Sequence, residues 1–288
     1  ELQSAIVQGT TSDIKLGNNI TDVSSTISLT SANTIVNING NNNTISPNGT
    51  GYSLFDIQAN TSLILRDAII SNASSNGNGG AIKNNSGTLN IINSTFSNNT
   101  ATVANPGWQY GGGAIQQDSG SLTIDNSNFN GNITNSRGGA IHILRNNVTI
   151  SNTTFTGNKA GSRGAGGAIA LTSSNAAATI KNSTITDNSA GVGGAIFNEG
   201  NLTIVADGTD SQISGNTSTQ NGGAIYNRAA TLNLQTQNGG SITFSGNNAA
   251  AGSDVYLDTV SGTRHSTLNI SGDGTVTFNG SIAGSNGN

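Results

Sequence analysis

Residues 79–99 read GGAIKNNSGTLNIINSTFSNN, and two features within them decide the fold. The tetrapeptide Gly-Gly-Ala-Ile that opens at Gly79 recurs at Gly112, Gly138, Gly166, Gly193 and Gly222, at intervals of 33, 26, 28, 27 and 29 residues. The second feature is an apolar residue followed three places later by Asn. It appears as Ile69/Asn72, Phe96/Asn99, Phe129/Asn132, Phe155/Asn158, Ile185/Asn188, Ile213/Asn216 and Phe244/Asn247. Two signatures locked at one period describe a repeat protein whose units stack on one another.

Within the quoted unit, Ile82 sits on a short strand and Asn84-Asn85-Ser86-Gly87 makes a polar turn. Leu89 and Ile91 alternate with polar neighbours on a second strand. Asn93 and Ser94 turn the chain again, and Phe96 points inward on a third. An α-helical repeat would need apolar residues at i, i+3, i+4 and i+7 and would avoid this much Gly and Asn. The expected fold is therefore all-β, a right-handed parallel β-helix of about ten to eleven rungs with three short strands per rung. The hand follows from the usual crossover rule. At about 4.8 Å per rung the rod is on the order of 50 Å long.

Aligned units form columns. Leu89/Ile91 continues as Leu122/Ile124, Val148/Ile150, Leu202/Ile204, Leu232/Leu234 and Leu268/Ile270. Phe96, Phe129, Phe155, Ile185, Ile213, Phe244 and Phe278 hold five of the seven Phe residues. Two places further on stand Asn98, Gly131, Gly157, Asp187, Gly215, Gly246 and Gly280, residue types that tolerate a positive φ. The column predicts a left-handed turn on every rung, which also accounts for Asp187 without catalysis. Asn93, Asn126, Asn152 and Asn182 predict a ladder of side-chain amides. Residues 1–288 read as one domain: an N-terminal cap and early rungs (1–68), the repeat rungs (69–260), and a last rung with a truncated end (261–288). No C-terminal cap is evident, so the native chain is expected to continue.

Composition excludes several classes. Only 8% of residues are charged, with Lys+Arg 10 against Asp+Glu 14 and a net charge of −4. A chain with so few basic residues has no footprint for nucleic acid or anionic membrane. There is no Cys, hence no disulfide framework and no thiol chemistry. No apolar run is long enough to span a bilayer, and direct membrane insertion of this chain is not expected. The apolar residues recur in register, unlike those of a disordered chain.

The repeated GGA(I/L/V) with FxxN resembles the polymorphic outer membrane protein repeats. More broadly it resembles the passenger domains of Gram-negative autotransporters, the type V secretion adhesins. The resemblance covers about Ile69 to Asn247, more loosely to Phe278, and Gly274–Gly280 is similar to the ends of passenger rungs. It implies a right-handed β-helix, secretion across the outer membrane, tethering by a C-terminal β-barrel that this chain lacks, and display on a Gram-negative cell surface. The Cys residues frequent in chlamydial members are missing, which places the chain outside that subgroup. Such repeats are structural and carry no catalytic residues to transfer.

A solenoid binds through what protrudes. One protrusion is Thr100–Gly111, where GGAI lies 16 residues past the Phe column rather than 8 to 11. It holds the only Trp, Trp108, together with Pro106 and Tyr110. Either it meets a partner, or Trp108 folds back over a groove. The other is the position after GGAI: Lys83, Gln116, His142, Ala170, Phe197, Tyr226 and Tyr256. If Ile points in, these point out, and Phe197, Tyr226 and Tyr256 make an aromatic stripe suited to sugar stacking or rod pairing. His142 reads as a solvated face residue. Asp207-Gly-Thr-Asp210 reads as a turn, because a calcium site needs six to eight oxygens. The expectation is a non-enzymatic adhesin without cofactor or metal. Its partner is itself, between cells, or a host glycan or matrix protein. The alternative is a polysaccharide-acting β-helix lyase or hydrolase. Against it, hydrolysis wants two carboxylates about 5 to 9.5 Å apart. The only Glu residues are Glu1 and Glu199, and Asp118 and Asp125 fall on different strands.

Overall fold

The computed structural model describes residues 2–260 and 264–285. Glu1, part of the Ser261–His265 turn and the end of the Ser281–Asn288 tail lie outside the described residues. The chain winds through three parallel sheets of ten strands each, and every turn contributes one strand to each sheet. The first sheet runs from Thr11–Lys15 to Thr267–Gly272 and carries the Leu/Ile pairs. The second runs from Ile20–Val23 to Val276–Phe278 and carries the Phe column. The third runs from Ile27–Leu29 to Ile282–Gly284 and carries the Ile of GGAI. A fourth, narrower sheet adds a two-residue strand to six successive turns, from Ser74–Ser75 to Thr217–Ser218. Reading three strands per rung misses it, since two residues carry no alternation to recognise.

The parallel strands are in register along the rod. Leu89, Leu122 and Val148 face one another, as do Leu202, Leu232 and Leu268. They belong to one continuous apolar core. The final pair departs from expectation. Ile270 is exposed and Leu268 only partly covered, because no described rung lies above them. At the other end Leu2, Ile6 and Leu16 join the core. In the Phe column, Phe96, Phe129 and Phe155 stack with centroids 4.9 and 5.0 Å apart, and Phe244 stacks on Phe278 at 4.9 Å. The spacing is the rung repeat itself; Phe96, Phe129, Phe155 and Phe244 are fully buried, whereas Phe278 on the last rung is half-buried. One register differs from the sequence reading: Ile70, not Ile69, pairs with Phe96. Asn72 therefore falls in the left-handed column, with φ 58°, and Ala73 takes the place of the motif Asn.

The glycines of GGAI have two separate reasons. The first one adopts a positive φ, 61° at Gly79 and 65° at Gly138. A Cβ on the second, at Gly139, would overlap the carbonyl oxygen of Gly167 on the next rung. These glycines stack carbonyl against Cα, and nothing larger fits. Ala81, Ala140 and Ala195 are fully buried beside them.

The left-handed column is present at Asn98, Gly131, Gly157, Asp187, Gly215 and Gly246, with φ between 56° and 66°. Gly280 is not among the positive-φ residues, so the column stops a rung early. The predicted ladder at Asn93, Asn126, Asn152 and Asn182 is corrected. These residues are also left-handed turns, and only Asn126 donates to Asn93, at 2.6 Å. Asn152 turns to Asp125 and Asn182 to the Asp207 carbonyl.

The continuous ladder is made by the Asn of FxxN. In the series Asn99, Asn132, Asn158, Asn188, Asn216 and Asn247, each member but the last passes an Nδ2–H to the next Oδ1, at 2.9–3.0 Å. Each Oδ1 also accepts the backbone N–H of the preceding member. Each Nδ2 donates as well to the carbonyl of the Phe-column residue one rung back. Turn backbone that would otherwise be orphaned in the interior is thereby satisfied. A second ladder runs through Ser94, Ser127, Thr153, Ser183 and Ser211. The backbone N–H of each donates to the hydroxyl of the next.

Candidate functional site

The outer face of the GGAI sheet gathers most of the side chains singled out from the sequence. Gln116, His142, Ala170, Phe197, Tyr226 and Tyr256 are in register on successive strands. They point away from the core as alternation requires, but they are not solvent-exposed in the way alternation predicts. Phe197 is 3% exposed, and Tyr226 and Tyr256 are half-buried. The segments preceding each Gly-Gly pair bridge one another through Gly111, Arg137, Ala165 and Val192. Ala165 and Val192 join Phe197, Ala170 and Tyr226 in a second, small apolar cluster. The three rings do stack, at 5.7 and 5.4 Å, yet the stripe is largely a covered seam.

His142 is also corrected. It is fully buried, with Nδ1 2.8 Å from Gln116 Oε1 and Nε2 2.6 Å from Thr172 Oγ1. Gln116 Nε2 donates to Asp118 Oδ1 at 2.6 Å and toward the Gln109 carbonyl at 3.4 Å. That orientation makes Gln116 Oε1 an acceptor, so Nδ1 carries the proton and Nε2 accepts from Thr172. Burial, reinforced by Arg137, lowers the His142 pKa to about 3, so the ring is neutral. Thr172, at the end of this line, is itself buried.

A charged column flanks the rings. Glu199, Arg228 and Asp258 occupy the same place on three successive rungs, three residues past Ile196, Ile225 and Val255. Arg228 Nη1 donates to Glu199 Oε1 at 2.7 Å, and Arg228 Nε lies 3.6 Å from Asp258 Oδ2. Tyr226 donates its hydroxyl to Asp258 at 2.6 Å. Burial first, and that bond second, push the phenol pKa upward. Arg137 lies over the Phe197 ring at 5.0 Å, a cation–π contact. Its Nη1 is buried without a hydrogen-bond partner, 3.9 Å from Glu199 Oε2. Desolvation is the chief reason its pKa is lowered. The sequence reading missed Arg137, Glu199, Arg228 and Asp258. Their signal was alternating charge in one aligned column, and a lone Arg in the column just before Gly-Gly.

The inserted turn stands where it was expected to protrude. Trp108 is 55% exposed and borders a groove of about 300 Å³ with Thr172, Ser173, Glu199, Arg228 and Arg264. Tyr110, half-buried, faces the other way, into an open cleft of about 600 Å³ beside Lys83, Asn76 and Asn78. The turn divides the two aromatics rather than pairing them. Asp207 bonds Lys181 and Asn238, and Asp210 accepts the Ser241 N–H, as turn residues would. Among the described residues no group of three or more His, Asp and Glu could hold a metal ion, and no helix is long and apolar enough to cross a membrane.

Fold and columns together define a β-solenoid assembled from GGAI/FxxN units. Residues 93–117, 182–199 and 210–228 match the Chlamydia polymorphic membrane protein repeat. Each match runs from the turn before the Phe-column strand through the GGAI strand. The chain is thus similar to that repeat in three of its turns, although it has no Cys. Neither a curated protein nor a solved structure matches the chain.

Proposed function

We propose that this chain is the non-enzymatic passenger of a surface-displayed adhesin. On this reading it is carried across the outer membrane and held outside the cell by a C-terminal β-barrel. It then binds copies of itself on neighbouring cells or a glycan or matrix protein of a host surface. The observation that carries the reading is the contrast between uniform rungs and one inserted turn. The rungs are closed by internal polar ladders, while the turn lifts the sole Trp into solvent. Regular rungs give a stiff display rod, and a single protruding turn gives its side a point of contact. Similarity to the polymorphic membrane protein repeat supports surface display. Burial of Phe197 removes support for rod pairing on the aromatic stripe.

The test is display of the chain on a β-barrel anchor. Settling of the cells and their attachment to immobilised glycans and matrix proteins are compared with cells bearing the barrel alone. A gain in either supports the reading, and a gain lost with Trp108→Ala assigns it to the inserted turn. No gain in any assay overturns it.

A further inference from the structure

The groove beside Trp108 has the chemistry of a saccharide site, and this inference rests on the binding-protein reading above. The turn is held rigidly enough to present a ring. Val103 N–H donates to Asn135 Oδ1 at 3.0 Å, and Asn135 Nδ2 returns a bond to the Val103 carbonyl at 2.8 Å. Ser136 Oγ donates to the Gly107 carbonyl at 3.1 Å, and Tyr110 N–H to the same carbonyl at 3.1 Å. Ordering of the turn is thus prepaid, and Trp108 stays outward with an uncovered apolar face.

The floor is polar, lined by Thr172, Ser173, Glu199 and Arg228. Glu199 Oε1 is occupied by Arg228, whereas Oε2 accepts no hydrogen bond among the described residues, where Arg137 Nη1 lies 3.9 Å away. A carboxylate and a guanidinium that fix each other, with free acceptor and donor sites left over, suit the vicinal hydroxyls of a pyranose. The exposed indole suits its C–H face. An apolar peptide would find too little apolar wall, and the volume is at the lower end of small-molecule sites, about 300–1,000 Å³.

Charge narrows the class. Arg137 and Arg228 are balanced by Glu199 and Asp258. Arg264, exposed at the rim, has no ion pair among the described residues. In a chain of net charge −4 this is an isolated cation facing a sugar-sized space. We infer that the groove binds an acidic oligosaccharide, with Trp108 stacked on a pyranose, Glu199 and Arg228 on its hydroxyls, and Arg264 opposite its carboxylate.

Because Trp108 is the sole Trp, its fluorescence reports this groove directly. The wild-type chain is titrated with tri-galacturonate and, separately, with tri-galactose. The expected result is a saturable change with the acidic trimer and about tenfold weaker binding of the neutral one. Arg264→Ala removes that preference. By calorimetry Trp108→Phe retains binding, and Trp108→Ala weakens it about tenfold or more. No saturation with either sugar, equal affinity for both, or unchanged affinity in Trp108→Ala overturns the inference. Chromatography of the recovered trimer separates it from the reading it rests on. Bound and intact sugar upholds both, whereas cleaved sugar upholds the groove and overturns the non-enzymatic assignment. Adhesion of displayed cells without sugar binding upholds the adhesin and overturns the groove.

Discussion

Acidification should loosen this protein well above the pH at which its carboxylates titrate, and one side chain is responsible. His142 is enclosed between Gln116 and Thr172, and burial lowers its pKa to about 3. In the unfolded chain an imidazole titrates near about 6.5. Between those values the unfolded state holds a proton that the folded state refuses. Stability is therefore level above about pH 6.5 and falls as the pH drops toward 3. At pH 5 the chain is about 1.5 units into that window. At about 1.36 kcal/mol per unit this is a loss of about 2 kcal/mol, a sizeable share of the roughly 5–15 kcal/mol of a folded domain. Asp125, held down by bonds from Ser151 and Asn152, and Asp207, held down by Lys181 and Asn238, act in the same direction. Their contribution is lost only below their unfolded value of about 3.9, so the range between pH 5 and 6.5 belongs to His142. Urea unfolding of the wild type and of His142→Gln at pH 7.5 and pH 5 reads the difference. Gln offers both a donor and an acceptor to the same neighbours and cannot titrate. The wild type should lose about 2 kcal/mol and the variant little, whatever its absolute stability. Equal losses in the two proteins would refute the assignment, and no loss in either would refute the buried neutral ring.

Asn158→Ala should cost about 2–4 kcal/mol in urea unfolding, because the Asn132 N–H and amide lose their shared acceptor inside the rod; Asn152→Gly, in an exposed left-handed turn, should stay within about 0.5 kcal/mol. Gly139→Ala should cost about 3 kcal/mol by forcing rungs apart, against about 1 kcal/mol for Gly157→Ala, where φ is positive but the space is open; comparable losses would sink the stacking argument. In an alkaline titration followed by tyrosinate absorbance, one of the four tyrosines should ionise only with unfolding, and Tyr226→Phe should abolish that late step; its raised pKa means the contribution is intact below about pH 10 and lost above. Asp254→Ala should restore the motif Ala yet lower the melting midpoint, since the Asn247 amide and the Gly280 N–H both lose their acceptor; an unchanged midpoint would refute a role for Asp254 in closing the ladder.

What was legible in the sequence was whatever repeats. GGAI, the Phe column and the Leu/Ile pairs fixed the strands and which face of each turns inward, because each is a period-two or once-per-rung constraint imposed by the core. Two Asn columns looked alike on paper. Both tolerate positive φ, and only the inward turn of FxxN decides which one is buried. The Ser94 and Ser127 hydroxyls gave no signal at all, since Ser beside a turn is ordinary in a chain this polar. The outer face was misjudged for a different reason. Alternation tells which way Phe197 and His142 point, but not whether another stretch of chain lies across them. Arg137, Ala165 and Val192 lie against Phe197 from places where the sequence shows no repeat.

Departures from the repeat carry their own information. Every amide of the Asn ladder points its N–H toward the same end of the rod, so the series is polar and leaves one unpaired donor at its last member. The motif decays at that point, where Gly252-Ser253-Asp254-Val255 stands in place of Gly-Gly-Ala-Ile. Asp254 is fully buried and accepts from Asn247 Nδ2 at 2.9 Å and from Gly280 N–H at 2.6 Å. A carboxylate at the donor end of aligned amides is favourable for the reason that anions favour a helix N-terminus. Ala would leave the donor bare, and a further Asn would only move the problem one rung along. The apparently degenerate repeat is therefore a terminator of the ladder. The Trp108 turn is the other large irregularity, and it closes nothing of the kind: it lifts its largest apolar side chain away from the core and into water.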